Sequence, residues 1–73
     1  MAITDQMHAL AARVRAEYRE MPGLSLTAEQ ASRLLGIDRP VCEQVLQGLV
    51  SDGALYHTPR GAYVAATSAR ERV

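Results

Sequence analysis

The sequence contains no lysine, asparagine, phenylalanine or tryptophan, and only one cysteine and three tyrosines in 73 residues. Each shortage narrows what the chain can be. A single cysteine cannot close an intramolecular disulfide, and His8 and His57 do not stand at ligand spacing from Cys42, so no metal site and no cofactor is expected. No run approaches the roughly 20 apolar residues that cross a bilayer, and the N-terminus lacks the basic-then-apolar order of a secretory leader. A cytoplasmic protein with no membrane partner is expected. Neither sign of charge dominates, because eight arginines meet eight acidic residues and the net charge is zero. The basic excess that usually marks a nucleic-acid-binding chain is therefore missing. The lack of lysine and asparagine beside abundant alanine is the codon-usage pattern of a GC-rich bacterial genome. It removes any inference that arginine was chosen over lysine for phosphate recognition.

What remains is enough for one small domain, 1–73. A chain of this size buries only about 60% of the surface it exposes when unfolded, so an enzyme-sized cleft is not expected. The apolar fraction of 48% argues against disorder.

Met7, Leu10, Val14, Tyr18 and Met21, with Ala11 beside them, recur at three-and-four spacing and draw one stripe along a first helix over about 4–21. Thr4 or Asp5 is the expected N-cap, and Pro22-Gly23 the stop, with glycine supplying a positive φ. Arg13, Arg15, Glu17, Arg19 and Glu20 form a solvated face of mixed charge. Leu24-Ser25-Leu26 alternates and predicts a short strand over 24–26 that pairs with a hairpin. A second helix over about 28–35 follows, entered through a capping box in which Thr27 and Gln30 satisfy each other's backbone amides. Ala28, Ala31, Leu34 and Leu35 are its expected buried side. Gly36 closes it in a left-handed turn.

Ile37 plugs that turn, Asp38 caps the next helix and Pro40 lies in its first turn, where a missing N–H costs little. The third helix runs over about 39–52, with Cys42, Val45, Leu46, Leu49 and Val50 inward and Arg39, Glu43, Gln44, Gln47 and Ser51 outward. Gly48, costing about 1 kcal/mol against alanine in a helix, is read as a point of close backbone approach. Asp52-Gly53 ends the helix. Two apolar-rich runs around Thr58-Pro59-Arg60-Gly61 then make a hairpin over 54–66, with Tyr63 and Ala65 on one face, Val64 and Ala66 on the other, and Tyr56 or Tyr63 covering the core. His57 reads as an exposed strand residue. The tail over 67–73 is expected to fray. The fold class is α+β, mainly helical: a three-helix winged helix-turn-helix with an antiparallel wing of two to three strands.

The segment Gly36-Ile37-Asp38-Arg39-Pro40-Val41-Cys42 resembles the glycine, aliphatic, serine, arginine, proline, threonine, valine entry to the recognition helix of GntR-type bacterial repressors. Gly53 to Ala65 resembles their wing, through the Arg60-Gly61 tip and the Tyr63-Val64-Ala65 strand. The likeness covers roughly residues 24–66. It implies a bacterial transcriptional regulator whose partner is duplex DNA. Arg39 would meet phosphate or a base edge, Gln44 and Gln47 would face the major groove, and Arg60 would reach the backbone or minor groove. Backbone amides near Thr27 could hold a phosphate. Apart from the resemblance, Arg33 is a further candidate, and a contiguous positive face built by Arg33, Arg39 and Arg60 would strengthen the DNA expectation.

The chain departs from that pattern at Asp38, Val41, Cys42 and Glu43, and residues 38–52 sum to minus two from Asp38, Glu43 and Asp52 against Arg39. Glu43 helps only by accepting from cytosine N4. The acidic helix motivates a second expectation, a winged-helix module that binds protein, either as a homodimer through the first helix or with a larger partner. Catalysis and a small-molecule substrate are not expected: neither histidine stands in a nucleophilic arrangement, and Cys42 reads as a small buried hydrophobe.

Overall fold

A computed structural model describes residues 2–66. The chain forms α1 (Ala2–Glu20), β1 (Ser25–Thr27), α2 (Ala28–Leu35), α3 (Arg39–Ser51), β2 (Leu55–His57) and β3 (Ala62–Ala65). The strands make one antiparallel sheet in the order β1-β3-β2, so the α+β class expected from the pattern is the class observed.

Local chemistry accounts for the element boundaries, with corrections. Thr4 and Asp5 do not cap α1, which begins at Ala2 and runs through both. A cap is worth only about 1 kcal/mol, and a helix start moves easily by a residue or two. At the other end the Leu24 amide donates to the Met21 carbonyl at 2.9 Å, closing a turn over Pro22 and Gly23. Gly23 does not take the positive φ expected of it; only Gly36, Gly53 and Gly61 do. That turn bond engages Leu24, and β1 accordingly starts one residue later than alternation alone places it. Thr27 both ends the strand and caps α2: its Oγ1 accepts from the Gln30 amide at 3.2 Å while its own amide donates to Gln30 Oε1 at 2.9 Å.

Gly36 ends α2 at φ 69°, ψ 35°. The amides of Gly36 and Ile37 both return to the Ser32 carbonyl, and the Ser32 hydroxyl donates to the Ile37 carbonyl at 2.9 Å. The short turn is thus pinned by backbone and side chain together. Asp38 occupies the N-cap of α3 but makes no side-chain bond to it, and Pro40 sits in the first turn. Gly53, at φ 84°, closes α3: its amide reaches Val50 and the Ala54 amide reaches Leu49. This six-to-one and five-to-two pair is the Schellman arrangement that a left-handed glycine permits.

The core lies between the three helices and one face of the sheet. Val14 and Tyr18 from α1, Ala31 and Leu35 from α2, and Cys42, Val45, Leu46 and Leu49 from α3 meet Leu55 and Tyr63 of the sheet. Leu34, expected inside, is 47% exposed. It lies one residue step, about 100°, off the line through Ala28, Ala31 and Leu35, which is enough to turn it to solvent on so short a helix. Of the two tyrosines that could cover the core, Tyr63 is 3% exposed and Tyr56 is 47%. Register explains the choice. Leu26, Tyr63 and His57 form one cross-strand row on the inner face, while Ser25, Val64 and Tyr56 form the next row on the outer face. The Tyr18 hydroxyl donates to the Tyr63 carbonyl at 2.6 Å and ties α1 to the central strand.

Gly48 meets nothing: a methyl group added there would find open space within 4 Å. The close approach expected inside the fold does not exist. The expected tail over 67–73 lies outside the described residues.

Candidate nucleic-acid interface

The outer side of α3 carries the residues its periodicity sends there, and Arg39, Glu43, Gln44 and Gln47 are all exposed. Their side chains are not all free. Arg39 Nε donates to Glu43 Oε2 at 3.1 Å, one helical turn on. Gln47 Nε2 donates to the Tyr63 hydroxyl at 3.0 Å. Gln47 keeps a second amide hydrogen and its carbonyl oxygen, the pair that adenine recognition requires. Gln44 faces solvent beside them.

The positive face expected from Arg33, Arg39 and Arg60 is largely cancelled. Arg33 Nη2 bonds Glu29 Oε2 at 3.0 Å and Arg39 bonds Glu43, so both guanidiniums carry a carboxylate within one turn. These are exposed pairs, worth at most a few tenths of a kcal/mol each, and a stronger anion can compete with them. Arg15 lies 3.5 Å from Asp52. Among the described residues Arg13, Arg19 and Arg60 make no ion pair. Arg60 stands at the hairpin tip, in a turn where the Gly61 amide returns to Thr58 at 2.9 Å and the Thr58 amide reaches Ala62 at 2.8 Å. Thr58 Oγ1 also accepts from the Ala62 amide at 3.1 Å, and Gly61 at φ 89° lets the chain re-enter the ladder.

The fold gathers part of the expected set into one place. A cleft of about 420 Å³ opens between the start of α2, the first turns of α3 and the hairpin, lined by Thr27, Ala28, Glu29, Arg39, Glu43, His57, Gly61 and Tyr63. Thr27, Arg39 and Glu43 line it; Arg60 does not, although its chain neighbour Gly61 does. Gln44, Gln47 and Arg33 lie outside the lining, although Arg33 holds Glu29, which is part of it.

His57 is exposed, as its place in the strand suggests, and its ring also stacks on Tyr63 with centroids 4.2 Å apart and planes 3° from parallel. Sequence reasoning misses that stack. The signal that could find it is strand parity: two residues after buried Leu55, His57 must share the inner sheet face, and the strand carries it past the end of the core. The Tyr63 beneath it is held at both ends, by Gln47 at its hydroxyl and by Tyr18 at its carbonyl.

Cys42 is fully buried, and burial first and Glu43 second push its thiol upward, away from the reactive thiolate. Among the described residues no group of histidine, cysteine and acid side chains is placed to hold a metal, and no helix is long and apolar enough to cross a membrane. No family model matches this chain, and neither a curated protein nor a solved structure does.

Proposed function

We propose that this chain is a small winged-helix DNA-binding protein, a bacterial transcriptional regulator of the cytoplasm that reads duplex DNA with α3 and the β2–β3 wing. The observation that carries the reading is the chain order α1-β1-α2-α3-β2-β3 on a β1-β3-β2 sheet, with Arg39 and Glu43 of α3 and Gly61 of the hairpin lining one cleft. A helix presented beside a hairpin offers one element to the major groove and another to the flanking backbone or minor groove. Gln44 and Gln47 carry the chemistry for base edges, and Arg60 that for phosphate. The likeness to GntR-type repressors in the turn before α3 and in the wing supports the same reading.

The test is binding of a random-sequence duplex by fluorescence anisotropy over a salt series. Affinity is expected to fall with salt, and Arg60→Ala to weaken it uniformly across sequences while lowering the salt slope by about one. No binding at low salt, or affinity indifferent to both Arg39→Ala and Arg60→Ala, refutes the reading.

A second reading has its own support. With Arg33 and Arg39 paired to carboxylates and Met21, Leu34 and Tyr56 exposed, the same fold suits a module that binds protein, as a homodimer through α1 or with a larger partner. Sedimentation decides it: a monomer that binds DNA and captures no protein removes this alternative.

A further inference from the structure

His57 supplies the cleft's imidazole, a side chain that can be neutral or carry a proton, and its surroundings make an added charge matter. The charged groups facing the cleft are Glu29 from α2, Arg39 and Glu43 from α3, and His57 itself from β2, with the Tyr63 ring of β3 as its floor. With the imidazole neutral, one guanidinium against two carboxylates gives minus one. A polyanion gains nothing from such a site. Protonation of His57 adds one positive charge and brings the cleft lining from minus one to neutral. The ring does not have to move to do so, because the stack on Tyr63 fixes it and Tyr63 is tethered by Gln47 and Tyr18.

We propose that the cleft takes a backbone phosphate of duplex DNA against the protonated imidazole of His57, with the Arg39 guanidinium in the same lining, so that DNA binding is coupled to the uptake of one proton. The step is a proton taken from solvent onto the free imidazole nitrogen, followed by a charge-assisted hydrogen bond from that N–H to a phosphate oxygen. Arg39 need not leave Glu43 completely, since only its Nε is committed there and its other N–H groups remain. The inference rests on the DNA-binding reading above and assigns that interface a residue and a regulator: acid tightens it, and alkali loosens it.

The experiment measures the dissociation constant of the whole chain for a random-sequence duplex at constant low salt from pH 8 to pH 6. Wild type is expected to tighten about five- to tenfold over that range, within what coupling to the uptake of one proton allows. His57→Gln removes the charge. His57→Phe removes it while keeping an aromatic ring on Tyr63, so the two variants together separate loss of the proton from loss of the stack. Both are expected to lose the tightening between pH 8 and pH 6 and to show no pH dependence. His8→Gln, on the exposed side of α1, is expected to keep the full dependence. Binding that persists at pH 8 but does not respond to pH in wild type, or a response that survives in both His57 variants, overturns the inference and leaves the DNA reading standing. No binding at any pH overturns both.

Discussion

Tyr18→Phe deletes one oxygen atom and, with it, the only side-chain hydrogen bond joining α1 to the sheet among the described residues. The ring remains in place in the core, where Tyr18 is 5% exposed, so little packing is lost. The Tyr63 carbonyl loses a 2.6 Å donor in a buried site. A buried neutral bond of this kind, with its acceptor left unsatisfied, is worth about 1–2 kcal/mol. For a domain of this size that corresponds to a fall in Tm of about 5–15 °C. Urea and thermal denaturation followed by circular dichroism measure both quantities, and an unchanged urea slope shows that the comparison is between like states. The alkaline limb supplies a second readout. Burial, and secondarily Cys42, pushes Tyr18 up to about 12 from its ordinary 10. A group whose pKa is raised by folding contributes stability that is complete below the unfolded value and is lost as pH climbs through the folded one. Wild type is therefore expected to lose stability from about pH 10 to about 12, and Tyr18→Phe to lose less across that window. A destabilisation under about 0.3 kcal/mol at neutral pH, or superimposable alkaline profiles, would refute the reasoning.

Three further outcomes follow from the same structure. Gly48→Ala is expected to stabilise the fold by about 0.5–1 kcal/mol, since the position is helical and open; a loss of stability in urea melts would show that something crowds it. Glu43→Gln releases Arg39 and deletes a negative charge from the cleft, so duplex binding is expected to tighten severalfold and its salt slope to steepen by up to about one. Unchanged affinity would place the DNA elsewhere. Cys42, fully buried with its thiol pushed upward, is expected to react with a thiol reagent only as fast as the chain opens; labelling much faster than hydrogen exchange of the core would contradict that burial.

Elements with strong local signals are legible in the amino-acid order alone. Thr27 with Gln30, Gly36 with Ile37, and Pro40 behind Asp38 are short-range devices, each acting within a few residues, and they place α2 and α3 almost to the residue. The apolar period of α3 names its buried side correctly because a helix of thirteen residues repeats its face several times. Leu34 defeats the pattern because eight residues give barely two turns, too few for one leucine to be assigned by spacing. The Thr4 or Asp5 cap and the Gly23 turn fail for a related reason: several local solutions lie within about 1 kcal/mol of one another, and the surrounding chain chooses.

The helices, their turns, the hairpin and the polar side chains on the outside of α3 all follow from interactions between residues close together in the chain, and so the sequence suffices to specify them. How those side chains are used is a matter of tertiary structure. The β1-β3-β2 pairing sends Tyr63 inward and Tyr56 outward, lays His57 on Tyr63, and brings residues near 27, 43 and 57 into one cleft. Packing of α3 on the sheet brings the Tyr63 hydroxyl to Gln47, whereas the Arg39–Glu43 pair needs only the four-residue spacing of the helix. The charge balance of the cleft and the stack on its floor depend on distances between groups far apart in sequence, and only the folded chain sets those distances.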